Sequence, residues 1–374
     1  MDPYLRGGSR LSQRLERLGQ PWRPETVRRW LNGHSIPTDE AVEWLSQALS
    51  QRTKTSADQI MQSLQAAVFN SHQHPAQPAA IHSRLIRTLT GHAAWVGGLA
   101  FSPDGTLLAS SGGDATVRIW ESATWTTVRG LTSHSAPVRN VAFSPDGALL
   151  ASASDDQTVR VWETSTGTQV RVLTGHTAAA IAIAFSPDGN LLASAGLDQT
   201  VRVWDVATGT RVRILTGHTA GAWSIAFSPD GSLLSSAADD RTVRVWETST
   251  GSQVRVLSDH TGPVRSVAFS PDGILLASAA HDQTVRIWEA STGRLVHTLT
   301  EFEAGVNGVA FSPDGSLLAV AIHGWDQTVR VLAVETWTPE RTLSIHHKAY
   351  SVAFSPDGSL LATCGYDLAV RLWR

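Results

Sequence analysis

The sequence predicts an all-β seven-bladed propeller preceded by a small all-α domain, and three observations carry that prediction. The pentapeptide Phe-Ser-Pro-Asp-Gly occurs seven times, beginning at Phe101, Phe143, Phe185, Phe227, Phe269, Phe311 and Phe354. Each copy belongs to a unit of about 42 residues in which four short apolar, β-branched segments alternate with turn signals, the period of a four-stranded blade. Ahead of the repeats the apolar spacing is helical instead, with stripes at Leu11, Leu15 and Leu18, at Val27, Trp30 and Leu31, and at Val42, Leu45 and Leu49.

In chain order, residues 1–66 form the predicted helical domain. Gly33 stops one helix, and Thr38 caps the next, with Asp39 and Glu40 in its first turn. The stretch Glu25-Thr26-Val27-Arg28-Arg29-Trp30-Leu31-Asn32-Gly33, then Ile36-Pro37 and a helix ending at Leu49, resembles the repressor-type helix-turn-helix family. Residues 1–33 carry seven Arg against three acids, which suits phosphate contacts. The resemblance implies duplex DNA as a partner, with Arg23, Thr26, Arg28 and Arg29 as the contacting side chains. A helical module for protein assembly or dimerisation is the alternative reading. Residues 67–82, with Pro75 and Pro78, read as a flexible linker to the propeller domain at 83–374.

The second unit shows how each blade is written. Val138 to Phe143 alternates as a half-buried strand, and Ser144-Pro145-Asp146-Gly147 closes a hairpin, Pro pre-setting φ and Gly supplying a positive one. Leu149 to Ala153, Thr158 to Trp162 and Val170 to Leu173 follow as the other strands. Such a sheet buries its faces only by stacking radially on its neighbours. The last unit stops at Arg374 after its third strand, while an orphan segment, residues 85–90, precedes the first. That segment is expected to supply the missing strand and latch the ring.

Gly-His stands near the start of several units (Gly91-His92, Gly175-His176, Gly217-His218), and a Trp near the end of most. The units resemble WD repeats over residues 83–374. The resemblance implies a buried hydrogen-bonded chain bracing each blade: His92, Ser110, Asp114 and Trp120; His134, Ser152, Asp156 and Trp162; His176, Ser194, Asp198 and Trp204. The same match gives His218, Ser236, Asp240 and Trp246; His260, Ser278, Asp282 and Trp288; and His346, Thr363, Asp367 and Trp373. The sixth unit departs, with Phe302, Val320 and Leu332 in three of these places and only Asp326 kept. Losing several polar partners together is nearly neutral, so this blade is expected to fold.

Ser, His and Asp recurring together invite a hydrolase reading, but six equivalent buried sets are a bracing device and not one exposed nucleophile. Cys364 is expected to be a small buried hydrophobe. His72 and His74 lack a supporting ligand pattern, and the glycines sit in turns and form no phosphate loop. No catalysis, metal or cofactor is expected.

Against the fixed repeat frame, three positions vary: six and four residues before each repeat Phe, and the residue before each bracing Asp. In WD repeats these line the top face around the central channel. They gather Trp95, Arg139, Ile181, Leu197, Trp223, Arg265, His281, Trp325, Lys348, Tyr350 and Tyr366, types that anchor protein interfaces. Because they vary, they are expected to be free of the framework. The Arg fixed in each third strand (Arg118, Arg160, Arg202) reads as framework. Net charge is −3, one cysteine excludes an intrachain disulfide, and the first twenty residues hold no apolar signal core, so a cytoplasmic scaffold is expected.

Overall fold

The computed structural model describes residues 84–324, 328–345 and 347–374. The helical domain, the linker as far as residue 83, and the candidate DNA contacts Arg23, Thr26, Arg28 and Arg29 lie outside them, as do Trp325, Asp326 and His346.

Seven four-stranded antiparallel sheets follow the repeats. Blade one comprises β2 (Val96–Phe101), β3 (Leu107–Gly112), β4 (Val117–Glu121) and β5 (Thr127–Leu131), and blades two to six repeat that order through β25 (Pro339–Ser344). Blade seven takes β26 (Ala349–Phe354), β27 (Leu361–Gly365) and β28 (Ala369–Trp373) from the chain end, and β1 (Leu85–Thr90) from upstream of blade one. β1 runs antiparallel to β28, with Leu89 opposite Val370. The latch expected from residues 85–90 is therefore present, and the first strands of successive blades neighbour one another cyclically, β26 returning to β2.

Composition sets each strand's radius. Second strands such as β7 (Leu149–Ser154) are Ala- and Ser-rich and buried on both faces, because small side chains let adjacent blades approach closely. Fourth strands such as β9 (Gln169–Leu173) are exposed except at their last Leu, as the outermost strand faces water. Between them, the apolar residues of one blade pack on those of the next: Val159, Val161 and Leu173 meet Ile183, Leu192 and Trp204.

The repeated pentapeptide closes each first hairpin. Ser144 Oγ donates to Asp146 Oδ1 at 2.6 Å, and Gly147 N donates to Ser144 O at 2.8 Å. Gly147 has φ +71°, and a Cβ there would meet only Pro103 Cδ of the preceding blade at 3.5 Å, ordinary contact. The positive φ, not crowding, requires glycine.

Candidate functional site: the braced blades and the top face

The bracing chain forms in blades one to five. In blade three Trp204 Nε1 donates to Ser194 Oγ at 2.9 Å, Ser194 Oγ lies 2.8 Å from His176 Nε2, and His176 Nδ1 lies 2.9 Å from Asp198. Since the carboxylate accepts the Nδ1 proton, Nε2 of the neutral ring accepts from the serine. Burial, outweighing the neighbouring carboxylate, holds His92, His134 and His176 below the ordinary imidazole value. Burial alone would raise Asp156, but hydrogen bonds from Thr158 and His134 bring it down to about 2. Ser110, Ser152, Ser194, Ser236 and Ser278 are completely buried, so none presents a hydroxyl to a substrate. Cys364 is buried, and that burial pushes its thiol up.

Two blades differ. In blade six Phe302, Val320 and Leu332 are all buried in one apolar cluster, so three of the four polar groups are replaced together. In blade seven Trp373 Nε1 donates to Thr363 Oγ1 at 2.9 Å, but Asp367 is met by His347 at 2.9 Å and by Arg371. His346, expected to meet Asp367, lies outside the described residues. Ile345, directly after the six-residue β25, is packed into the core.

Outer strands carry a second device that the sequence reading passed over. In the outer strands of blades one to four the central Arg donates across to the next blade: Arg171 Nη2 to Ala207 O at 2.6 Å, and likewise Arg129 to Ser165 O, Arg213 to Ser249 O and Arg255 to Ser291 O. The receiving loops turn on Gly167, Gly209, Gly251 and Gly293, all near φ +75°. Between blades five and six the pair is replaced: His297 stands for the Arg, Trp337 for the Gly at φ +59°, and their rings stack at 5.7 Å and 12°. The signal was present in the sequence as the invariant spacing from that Arg to the next blade's Thr-Gly.

The three variable positions converge because backbone hydrogen bonds join them. Gly113 N donates to Trp95 O, Asp155 N to Pro137 O, Leu197 N to Ala179 O and Asp239 N to Gly221 O, each at 2.7–2.9 Å. The turn between second and third strands thereby sits beside the start of the first strand. There the side chains form two cross-blade clusters. Arg139 lies 4.6 Å over the Trp95 ring and makes a two-pronged pair with Asp155 at 2.8 and 2.6 Å, while Trp95 meets Tyr350 edge-on at 6.1 Å. Arg265 lies 4.0 Å over Trp223, whose Nε1 donates to Asp239 Oδ2 at 2.8 Å. A hydrogen-bonded string follows: His281 Nε2 to Asn307 Oδ1 at 3.0 Å, and Asn307 Nδ2 to His323 Nδ1 and Ala349 O, both at 2.8 Å.

These contacts correct the expectation that the variable residues are independent of the framework. Trp95, Arg139, Trp223, Arg265, His281 and Tyr350 are half-buried and hold one blade to the next. Ile181 is 5% exposed and belongs to the core, because a first-strand side chain between closely packed blades has no path to solvent. Among the described residues, Leu197, Lys348 and Tyr366 are the predicted ones that stand exposed, Tyr366 at 63%. His323 is the participant the sequence did not single out, since it sits in the insertion of the irregular sixth unit.

The seven units match the family described as WD domain, G-beta repeat over residues 83–121, 125–163, 167–205, 209–247, 251–289, 293–331 and 337–374. The chain is 58% identical over 40 residues to an uncharacterised WD repeat-containing protein of Synechocystis sp., and 52% over 40 residues to nuclear distribution protein nudF 2 of Penicillium rubens. These matches cover 10% and 11% of the chain, and 12% and 9% of the two relatives. The likeness to each is thus about one repeat long. Propellers built of such units typically serve as protein-interaction scaffolds and are generally non-catalytic. With matching units running through every blade and the bracing chain formed in five of them, the chain belongs to the WD-repeat family of β-propellers.

Proposed function

We propose that this chain is a non-catalytic cytoplasmic scaffold whose propeller captures a protein partner on the top face, while residues 1–66 fix its location by binding duplex DNA. The observation that supports the first half is the exposure of Leu197, Lys348 and Tyr366 at the mouth of a channel whose other side chains are locked together. Preorganised aromatic and Arg groups lose little entropy on binding, so a rim of this kind favours affinity. The basic content of residues 1–33 supports the second half.

Two experiments test the reading. Affinity capture with the wild type and with a Leu197→Asp, Tyr366→Ala variant should lose a shared set of proteins at unchanged melting temperature; identical recovery would move the interface away from this face. Titration of the full chain and of residues 81–374 with a duplex oligonucleotide at rising salt should show salt-dependent binding only for the full chain. Equal binding by both, or by neither, would leave residues 1–66 as an assembly module.

A further inference from the structure

The top face is electrostatically lopsided. In blades one and two, the Arg139 guanidinium is matched by Asp155 in a two-pronged pair. Where blades five, six and seven meet, matching of that kind is missing among the described residues. Arg265 is 3.1 Å from Asp239, yet the pair lacks hydrogen-bond alignment, and its Nε and Nη1 are shielded from water without an acceptor. Lys348 is exposed and has no ion-pair partner among the described residues. His281 and His323 stack at 5.4 Å and 30°, joined through a neutral amide, Asn307. This differs from the bracing histidines of blades one to five, each of which faces an aspartate.

The charges bearing on these two rings can be named. His281 faces Arg265 and Asp239, and His323 faces His281, Lys348 and Arg265. Among the described residues, everything charged that bears on His323 is therefore cationic or becomes so on protonation. Burial, first, and those cations keep both rings neutral near pH 7. An incoming carboxylate would reverse the balance. It would find an exposed ammonium, a guanidinium with donors to spare, and two imidazoles whose protonation it would favour.

We infer that the sector where blades five, six and seven meet on the top face receives the carboxylate side chains of an acidic segment of a protein partner. This rests on the top-face reading above and names the chemistry of the partner. Charge complementarity carries it: among the described residues the sector sets Lys348 and Arg265 against Asp239 alone, around half-buried polar groups, and side-chain carboxylates on an extended segment match several of them at once.

The test is fluorescence anisotropy with the full chain and a labelled alternating Glu-Gly peptide of about twelve residues, at low ionic strength where such attraction is least screened. Binding should tighten roughly three- to tenfold between about pH 7.5 and pH 5.5, because carboxylate binding raises the imidazole pKa values and takes up protons. Lys348→Glu should weaken it about tenfold at both pH values. His323→Gln should lose most of the tightening, its affinity changing less than about threefold between pH 7.5 and pH 5.5. An alternating Lys-Gly peptide should not compete. The inference is overturned if Lys348→Glu binds the acidic peptide like the wild type, or if His323→Gln keeps the full pH response. It is also overturned if a duplex oligonucleotide binds in the same Lys348-dependent way more tightly than the peptide, which would assign the sector to nucleic acid. If the peptide fails while capture still depends on Leu197 and Tyr366, the acidic assignment falls and the top-face interface stands. If both fail, the face is not an interface.

Discussion

At the scale of single residues, the bracing chain is a set of buried polar groups whose value depends on completeness. Removing one member strands the others, as at His176, whose two ring nitrogens satisfy Ser194 and Asp198. His176→Ala should cost about 1–3 kcal/mol in urea unfolding, and full retention of stability would end the bracing assignment in that blade. Blade six shows the other solution, with Phe302, Val320 and Leu332 packed together. Transplanting it as His176→Phe, Ser194→Val, Trp204→Leu should therefore cost less than the three single changes summed, a non-additivity read by the same unfolding curves. The titrating groups give a pH dependence with a definite sign. His92, His134 and His176 lie below 6.5 when folded, so the unfolded chain binds more protons as pH drops through 6.5. Asp156, held at about 2 against an ordinary 3.8, adds a loss below about pH 4. Both act in the same direction, and the melting temperature should fall on acidification from pH 7 to 5 and fall further toward pH 3. A melting temperature flat from pH 7 to 5 would contradict the buried, neutral histidines.

At the scale of elements, β1 carries a role out of proportion to its length. Its residues are exposed apart from Leu89, which is packed with Val370 and Leu372 of the last blade. Deleting residues 1–90 removes this strand, unpairs β28 and leaves an open edge. Deleting 1–80 keeps it. The shorter truncation should melt like the intact propeller. The longer one should melt several degrees lower or aggregate, since burying Leu89 alone is worth about 2 kcal/mol. Equal melting temperatures by calorimetry would exclude closure through this strand. The outer-strand Arg contacts act between elements too, each joining one blade's edge to the next blade's loop, and the His297–Trp337 stack fills the same place where sequence breaks the pattern.

For the whole molecule, the channel mouth is both a framework and a surface. Trp223 is clamped between Arg265 of the next blade and Asp239 of its own, so it belongs to the joint between blades four and five. Trp223→Ala should lower stability by roughly 2–4 kcal/mol, more than an exposed change, because it removes buried aromatic area and leaves Asp239 and Arg265 less shielded. Tyr366→Ala, at an exposed position, should stay within about 0.5 kcal/mol of the wild type. Thermal melts of the two variants separate joint from surface, and similar losses would mean that the exposed rim is also part of the joint. Partner capture should respond to the exposed residues at unchanged stability.

Repeat number, strand order within a blade, the hairpin turns and the closing strand were all legible in the sequence, because each follows from local periodicity and from turn chemistry that repeats in register. The bracing sets of blades one to five were legible for the same reason: five copies of one spacing fix which residues meet. In the seventh unit His346 stands one residue closer to its Thr than the His stands to the Ser of the other units, and it lies outside the described residues; there Asp367 is met by His347. The top face divided in the same way. Its variable positions could be read from the repeats, because the backbone bond from the second turn to the start of the first strand recurs in every well-formed blade. Which of them face solvent could not. Exposure there depends on the neighbouring blade: Arg139 reaches back to Trp95, Arg265 to Trp223, and Asn307 to the carbonyl of Ala349. Those partners lie about 42 residues apart or further, and only the stacking of one blade on the next brings them within contact, so sequence determined the blades and tertiary packing decided which side chains remain exposed.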